Sequence, residues 1–106
     1  MTRACSLHEV PLGEGRNARV ADKLVAIFNT TEGWFAVQSR CPHRGGPLAD
    51  GIVGERSVTC PLHNFRFDLA DGDAIGQTCP GLETWPVEIR GEEIFVDVPV
   101  AAAAAA

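Results

Sequence analysis

The sequence contains no tyrosine, one methionine and only two tryptophans among 106 residues. No phenolic hydroxyl is therefore available as a hydrogen-bond donor anywhere in the chain. Positive charge is also scarce: nine Lys and Arg stand against 14 Asp and Glu, a formal charge of −5. That balance lacks the basic face of a nucleic-acid binder and suits a carrier that meets a basic partner. No apolar run reaches signal-peptide or membrane-span length. We expect a cytoplasmic protein with neither nucleic acid nor membrane as partner. Helical periodicity flanked by caps is missing as well.

What is present is a series of short strands. KLVAIFN (23–29) and GWFAVQS (33–39) are β-branched and aromatic runs joined by Thr30, Thr31 and Glu32, which predicts a hairpin. WPVEIR (85–90) and EEIFVDV (92–98) flank Gly91 and predict a second hairpin with one buried face. Shorter strands are expected at Arg3–Ser6, Ala18–Val20, Ile52–Val53, Ser57–Thr59 and Arg66–Asp68. With 11 Gly and seven Pro between them, these define an all-β class, a small antiparallel barrel or sandwich. The length suits one domain, residues 1–100. The six alanines at 101–106 are set apart from it.

The region 40–81 is rich in loops and holds most of the soft ligands. Cys41 and His43 sit in CPHRGGPLADG (41–51), and Cys60 and His63 sit in CPLHNFRFD (60–68). Each half offers one thiolate and one imidazole. A hairpin read in GIVGERSVT (51–59) would bring both ligand loops to one end of a sheet. Zinc accepts two Cys and two His, yet its fingers pair Cys with Cys and His with His. A [2Fe–2S] cluster with two Cys on one iron and two His on the other is met naturally by two mixed loops. The spacing favours iron–sulfur; a zinc-stabilised interaction module is the alternative of a different class. CSLH (5–8) repeats the Cys-x-x-His pattern without the proline and glycine context, and Cys5 and His8 are not expected to bind metal.

C-P-H-R-G-G-P-L followed by C-P-L-H-N-F-R-F-D resembles the cluster-binding signature of the Rieske family, and GQTCPGLETWPVEIRGEEIFVDV (76–98) is similar to that family's proline loop and closing hairpin. The resemblance implies a Rieske-type fold with a cluster-binding subdomain at about 40–81. It makes Cys41, His43, Cys60 and His63 the cofactor and metal ligands of a Rieske-type [2Fe–2S] cluster, with no catalytic residue. Gly45 and Gly46 would bring backbone close to the sulfides, Pro80 and Gly81 would form a third covering loop, and Leu48 and Leu62 would shield the cluster. Trp34, Phe35, Phe67 and Trp85 are read as core. Some family members carry a disulfide between the ligand loops; the matching position here is Gly46, so that bridge is not expected, and Cys79 is read as a buried or half-buried thiol in the third loop with no catalytic role.

Two thiolates, two neutral imidazoles, two sulfides and two ferric ions sum to zero charge, which eases electron uptake relative to an all-cysteine cluster. High-potential relatives place a hydroxyl side chain and a tyrosine two and four residues after the second histidine. Phe65 and Phe67 stand there, which implies a potential near the low end of the family range of roughly −150 to +300 mV. An electron-transfer subunit without its own substrate site is expected. The resemblance points first to the small subunit of an assimilatory NAD(P)H-dependent nitrite reductase, partnered by a large flavin and siroheme subunit. The second reading is the ferredoxin of an aromatic-ring-hydroxylating dioxygenase, partnered by a flavoprotein reductase and a terminal oxygenase.

Overall fold

The apolar run KLVAIFN becomes β3 (Lys23–Thr30), the strand on which the other layers are built, in a computed structural model that describes residues 2–42, 45–61, 64–76 and 80–98. It lies between β2 (Glu14–Val20) and β4 (Gly33–Gln38), with β9 (Thr84–Trp85) beyond β4. A second sheet has the order β1 (Thr2–Ser6), β11 (Glu93–Val96), β10 (Val87–Arg90). A third runs β5 (Ile52–Val53), β6 (Ser57–Thr59), β7 (Arg66–Asp68), β8 (Ala74–Ile75). Every pairing within the three sheets is antiparallel. The all-β class therefore holds, as three open sheets rather than a closed barrel.

Alternation explains why β3 is apolar throughout. Val25 and Ile27 project into one core with Val20, Ala36, Ile94 and Val96. Ala26 and Phe28 project into a second core with Val37, Leu48, Val58 and Phe67. A strand covered on both faces reads as a continuous hydrophobic run. Phe28 and Phe67 are fully buried, and each contributes about 2–3 kcal/mol of transfer free energy.

Two turns show how local chemistry fixes the hairpins. Val20 pairs with Lys23, leaving Ala21 and Asp22 as a two-residue loop in which both φ are positive, 51° and 67°. This is the signature of a type I′ turn, whose twist suits antiparallel strands. In the next hairpin Thr30 pairs with Gly33, and the Thr30 hydroxyl accepts from the Glu32 amide at 3.1 Å and donates to the Gly33 carbonyl at 2.9 Å.

The expected strand WPVEIR is divided. Pro86 has no N–H to give a ladder, so Thr84 and Trp85 pair with Val37 and Ala36, whereas Val87 pairs with Val96 in another sheet. β10 is then an edge strand, and Ile89 is 38% exposed rather than on a buried face. Two further differences are the length of β2, which starts at Glu14, and the unanticipated β8. Ile52–Val53, Ser57–Thr59 and Arg66–Asp68 form as read.

Candidate metal centre

Cys41 follows β4 by three residues, and Cys60 directly follows β6. The two loops they open share one backbone plan. In the first, the Cys41 amide donates to the Gly46 carbonyl at 2.8 Å and the Gly45 amide to the Cys41 carbonyl at 2.7 Å. In the second, the Cys60 amide donates to the Phe65 carbonyl at 2.7 Å and the Asn64 amide to the Cys60 carbonyl at 3.0 Å. Flanking residues pair equivalently, Arg40 with Pro47 and Thr59 with Arg66. Each loop thus ends with two residues opposing one cysteine, the first in the left-handed region: Gly45 at φ 72° and Asn64 at φ 58°. That is the G1 bulge. Asn tolerates this conformation better than other side-chain residues.

The consequence is that Cys41 and Cys60 occupy the same station in matched loops. Both are buried, at 2% and 0% exposure, in the second core among Leu48, Val58, Phe67, Leu69 and Leu82. Paired soft thiol donors in a dry, apolar setting suit a thiolate-bound metal cluster and would be a poor place for a hard cation. His43, Arg44, Leu62, His63 and Cys79 lie outside the described residues. Of the glycines expected to shape the first loop, Gly45 has a positive φ and Gly46 does not; Gly46 serves through its carbonyl.

A third segment comes up against this core. The Leu82 amide donates to the Gly72 carbonyl at 2.7 Å, and Leu82 is 6% exposed in the core that holds both cysteines. Gly72 has φ 82°, and a side-chain carbon there would lie well under 3.0 Å from the Leu82 carbonyl oxygen. Pro80 and Gly81 are exposed on the outside of this segment. Leu48 is fully buried and Phe67 is core; Trp34, Phe35 and Trp85 are half-buried against the cores.

Two polar groups escaped sequence reasoning. Gln38 and Arg40 make side-chain bonds to the first loop and to Glu83. Asp68 accepts from the Ala70 amide at 2.8 Å and from Arg56 Nη2 at 3.0 Å. Burial opposes its charge, but the backbone amides of Ala70 and Asp71 and the Arg56 guanidinium outweigh that and hold its pKa below the ordinary value. The signal was visible only as a D-x-A-D-G turn sequence. Arg66 is exposed on β7.

The second Cys-x-x-His is accounted for differently. Ser6 caps a 3-10 turn (Leu7–Glu9) in a reciprocal capping box with Glu9. His8 is exposed and sits 2.7 Å from Glu92. Cys5 lies in the first core, on the other side of the β2–β3–β4 sheet from Cys41 and Cys60. Burial first, then Glu9, pushes its thiol pKa up, which disfavours the thiolate a metal would need.

Matched loops with buried cysteines on an antiparallel three-sheet frame fit an iron–sulfur protein of the Rieske class. The profile of the Rieske-like [2Fe-2S] domain matches residues 1–97, and the chain belongs to that family. It is 30% identical over 96 residues to the ferredoxin component of the naphthalene 1,2-dioxygenase system of Pseudomonas aeruginosa, covering 90% of this chain and 92% of that one. It is 35% identical over 101 residues to the 3-phenylpropionate/cinnamic acid dioxygenase ferredoxin subunit of Escherichia coli K12, covering 92% and 93%. Among solved structures, a ferredoxin of Sphingomonas yanoikuyae B1 superposes with TM-score 0.83 at 28% identity, covering 92% and 97%. A Mycobacterium tuberculosis protein described as an NADH-dependent nitrite reductase small subunit gives the same TM-score and identity, covering 93% and 96%.

The chain therefore carries a Rieske-type [2Fe–2S] cluster and transfers electrons. The zinc reading finds no support in that family. Among the described residues, no helix is long and apolar enough to cross a membrane.

Proposed function

We propose that Cys41, His43, Cys60 and His63 hold the cluster in a single domain spanning 1–100, and that the protein serves as the ferredoxin of an aromatic-ring-hydroxylating dioxygenase system. The observation that carries the partner assignment is likeness over nearly the whole length, at 30–35% identity, to ferredoxins of such systems. This reverses the order read from sequence. There the loop motifs favoured a nitrite reductase small subunit, but those motifs are common to both groups. The nitrite reductase reading stays as the second, supported by the Mycobacterium tuberculosis structure at 28% identity.

When bound, the cluster takes up and gives back one electron. The chain's own part is to hold it and set its surroundings. Cys41 and Cys60 come from loops with the same hydrogen-bond plan, so they present two thiolates from equivalent positions. Phe67, fully buried beside them, and Phe65, half-buried against the same core, supply hydrocarbon where a hydroxyl donor would raise the potential. A potential in the lower part of the family range follows, suited to accepting electrons from reduced nicotinamide through a flavoprotein.

Two measurements test this. Cys60→Ser and His63→Ala are each expected to abolish the rhombic EPR signal of the reduced protein. A full [2Fe–2S] complement with unchanged spectrum in either variant refutes the ligand set. For the partner, the purified protein is mixed with NADH, a flavoprotein reductase and a terminal ring-hydroxylating oxygenase. Salt-sensitive, sub-stoichiometric support of oxygenase turnover is expected. Stable co-elution with a nitrite reductase large subunit instead would favour the second reading.

A further inference from the structure

The two ligand loops share a backbone plan but not the support beneath it. The second closes on β6–β7, a ladder of three consecutive pairs: Ser57 with Asp68, Val58 with Phe67, Thr59 with Arg66. The first closes on the isolated bridge between Arg40 and Pro47, made by the Cys41 amide to the Gly46 carbonyl at 2.8 Å and the Leu48 amide to the Ser39 carbonyl at 3.1 Å. A hairpin loop resting on one bridge would open more readily than one resting on three pairs.

Side chains fill the deficit. At the end of β4, Gln38 Nε2 donates to the Arg40 carbonyl at 2.7 Å, and Gln38 Oε1 accepts from the Glu83 amide at 2.7 Å. The Gln38 amide also donates to the Glu83 carbonyl at 3.0 Å. Arg40 Nη1 in turn donates to the Gly45 carbonyl at 3.1 Å, and the Gly45 amide returns to the Cys41 carbonyl at 2.7 Å. The result is one connected set of hydrogen bonds from Glu83 through Gln38 and Arg40 to the far limb of the first loop. It spans both sides of Cys41. It also ties that loop to the chain just after Leu82, a residue buried in the core that holds both cysteines.

We propose that Gln38 and Arg40 are positioning residues that hold the first ligand loop, and so Cys41, in register with the third segment at Glu83. Their side chains bond the backbone groups of Arg40, Gly45 and Glu83, and through these they fix the loop. The Gln38 amide is specific for this duty because it must donate on one side and accept on the other. A carboxylate of the same shape can only accept, and an apolar side chain can do neither. The inference rests on Cys41 being a ligand.

The second loop provides an internal control, because its Asn64 amide makes the bond that Gly45 makes in the first. In the cluster-loaded protein, Gln38→Met is expected to speed hydrogen exchange at Gly45 about tenfold and cluster release to a chelator by a similar factor, leaving Asn64 unchanged. Two neutral hydrogen bonds are removed, and tenfold corresponds to about 1.4 kcal/mol. Gln38→Glu should behave like Gln38→Met at Gly45 while keeping the acceptor for Glu83. Arg40→Met, at an exposed side chain, should act in the same direction, with Arg40→Lys restoring part of the loss. Equal acceleration at Gly45 and Asn64, or none at either, overturns the inference. If the loaded wild type forms normally and the variants release at its rate, only the positioning role fails. A wild-type chain that takes up no [2Fe–2S] cluster overturns the ligand set and this role together.

Discussion

Gly72→Ala should cost several times more stability than Gly76→Ala, although the two glycines have nearly the same backbone conformation. Their φ values are 82° and 80°, so the left-handed penalty for an L side chain is common to both, about 1–2 kcal/mol. Alanine also restricts the unfolded chain, which returns about 0.4–1 kcal/mol. The net for Gly76→Ala is about 1 kcal/mol, because a side-chain carbon there meets nothing within 4 Å among the described residues. At Gly72 the new methyl runs into the Leu82 carbonyl, a backbone atom that no rotamer change can move. Relief requires the 80–82 segment to lift. That breaks the Leu82–Gly72 hydrogen bond, about 1 kcal/mol. It also exposes part of a leucine that is 6% exposed, a further 1 kcal/mol or so.

Gly72→Ala is thus expected to lose about 3 kcal/mol and Gly76→Ala about 1 kcal/mol. Urea titration followed by the fluorescence of Trp34 and Trp85 reads both numbers, with equal m-values as the check that only stability has changed. The cluster adds a second readout. Leu82 is buried in the same core as Cys41 and Cys60, so Gly72→Ala should lose visible absorbance faster than its partner variant. Costs within 0.5 kcal/mol of one another would refute the close approach of residues 72 and 82 and its part in covering the site.

Asp68 predicts an acid dependence. Its pKa is held below the ordinary carboxylate value of about 3.9, so the stabilisation is present above that value and is lost as pH falls through the folded-state pKa. The urea midpoint of the wild type should therefore fall below pH 4 more steeply than that of Asp68→Asn, and parallel curves would remove the basis for this. The β2–β3 turn predicts a gain. Ala21 and Asp22 both hold positive φ, and the double change Ala21→Asn, Asp22→Gly supplies the residues a type I′ turn prefers. It should raise stability by about 0.5–1 kcal/mol, with a loss in thermal or urea unfolding counting against the turn type.

Strand positions were legible wherever hydrophobic periodicity and β-branching agreed, as in KLVAIFN and SVT. The division of WPVEIR was not read, although its cause, Pro86, stands in the sequence. Periodicity assigns a face and cannot show that the chain changes sheets at one residue. Equally hidden was the reason for apolar character at every position of β3, since one strand serving two cores is a tertiary fact. At the site, cysteine and histidine identity carried the metal reading and matched the two loops in ligand type, while their shared backbone plan emerged only from hydrogen bonds. Asn64 shows why. It occupies the place of Gly45, and although asparagine is among the residues that enter the left-handed region, the letters C-P-L-H-N-F do not require it there. Gln38 and Arg40 were invisible for a related cause: polar residues at a strand end are ordinary, and only their partners make them distinctive.

The placement of the two loops gives the site a structural role as well as a redox one. The first loop leaves the β2–β3–β4–β9 sheet at the end of β4, and the second is carried within the β5–β8 sheet. Cys41 and Cys60 therefore come from different layers and meet only in the core that those layers share. A group bound through both thiolates joins two sheets that are otherwise held by packing and by the short return through Leu48–Asp50. Ligands that bind the folded chain and not the unfolded one add their binding free energy to its stability. Removal of the cluster should then loosen the β5–β8 layer first, because β5 and β8 have two residues each and a sheet so short depends on what packs against it. The core between the other two sheets, which includes Val20, Val25, Ile27, Ile94 and Val96 and contains neither cysteine, has no such dependence. Cluster loss is thus expected to be a local event at one face of the β2–β3–β4 sheet, and hydrogen exchange of the apo protein that rises equally in β2–β3 and in β5–β8 would refute it.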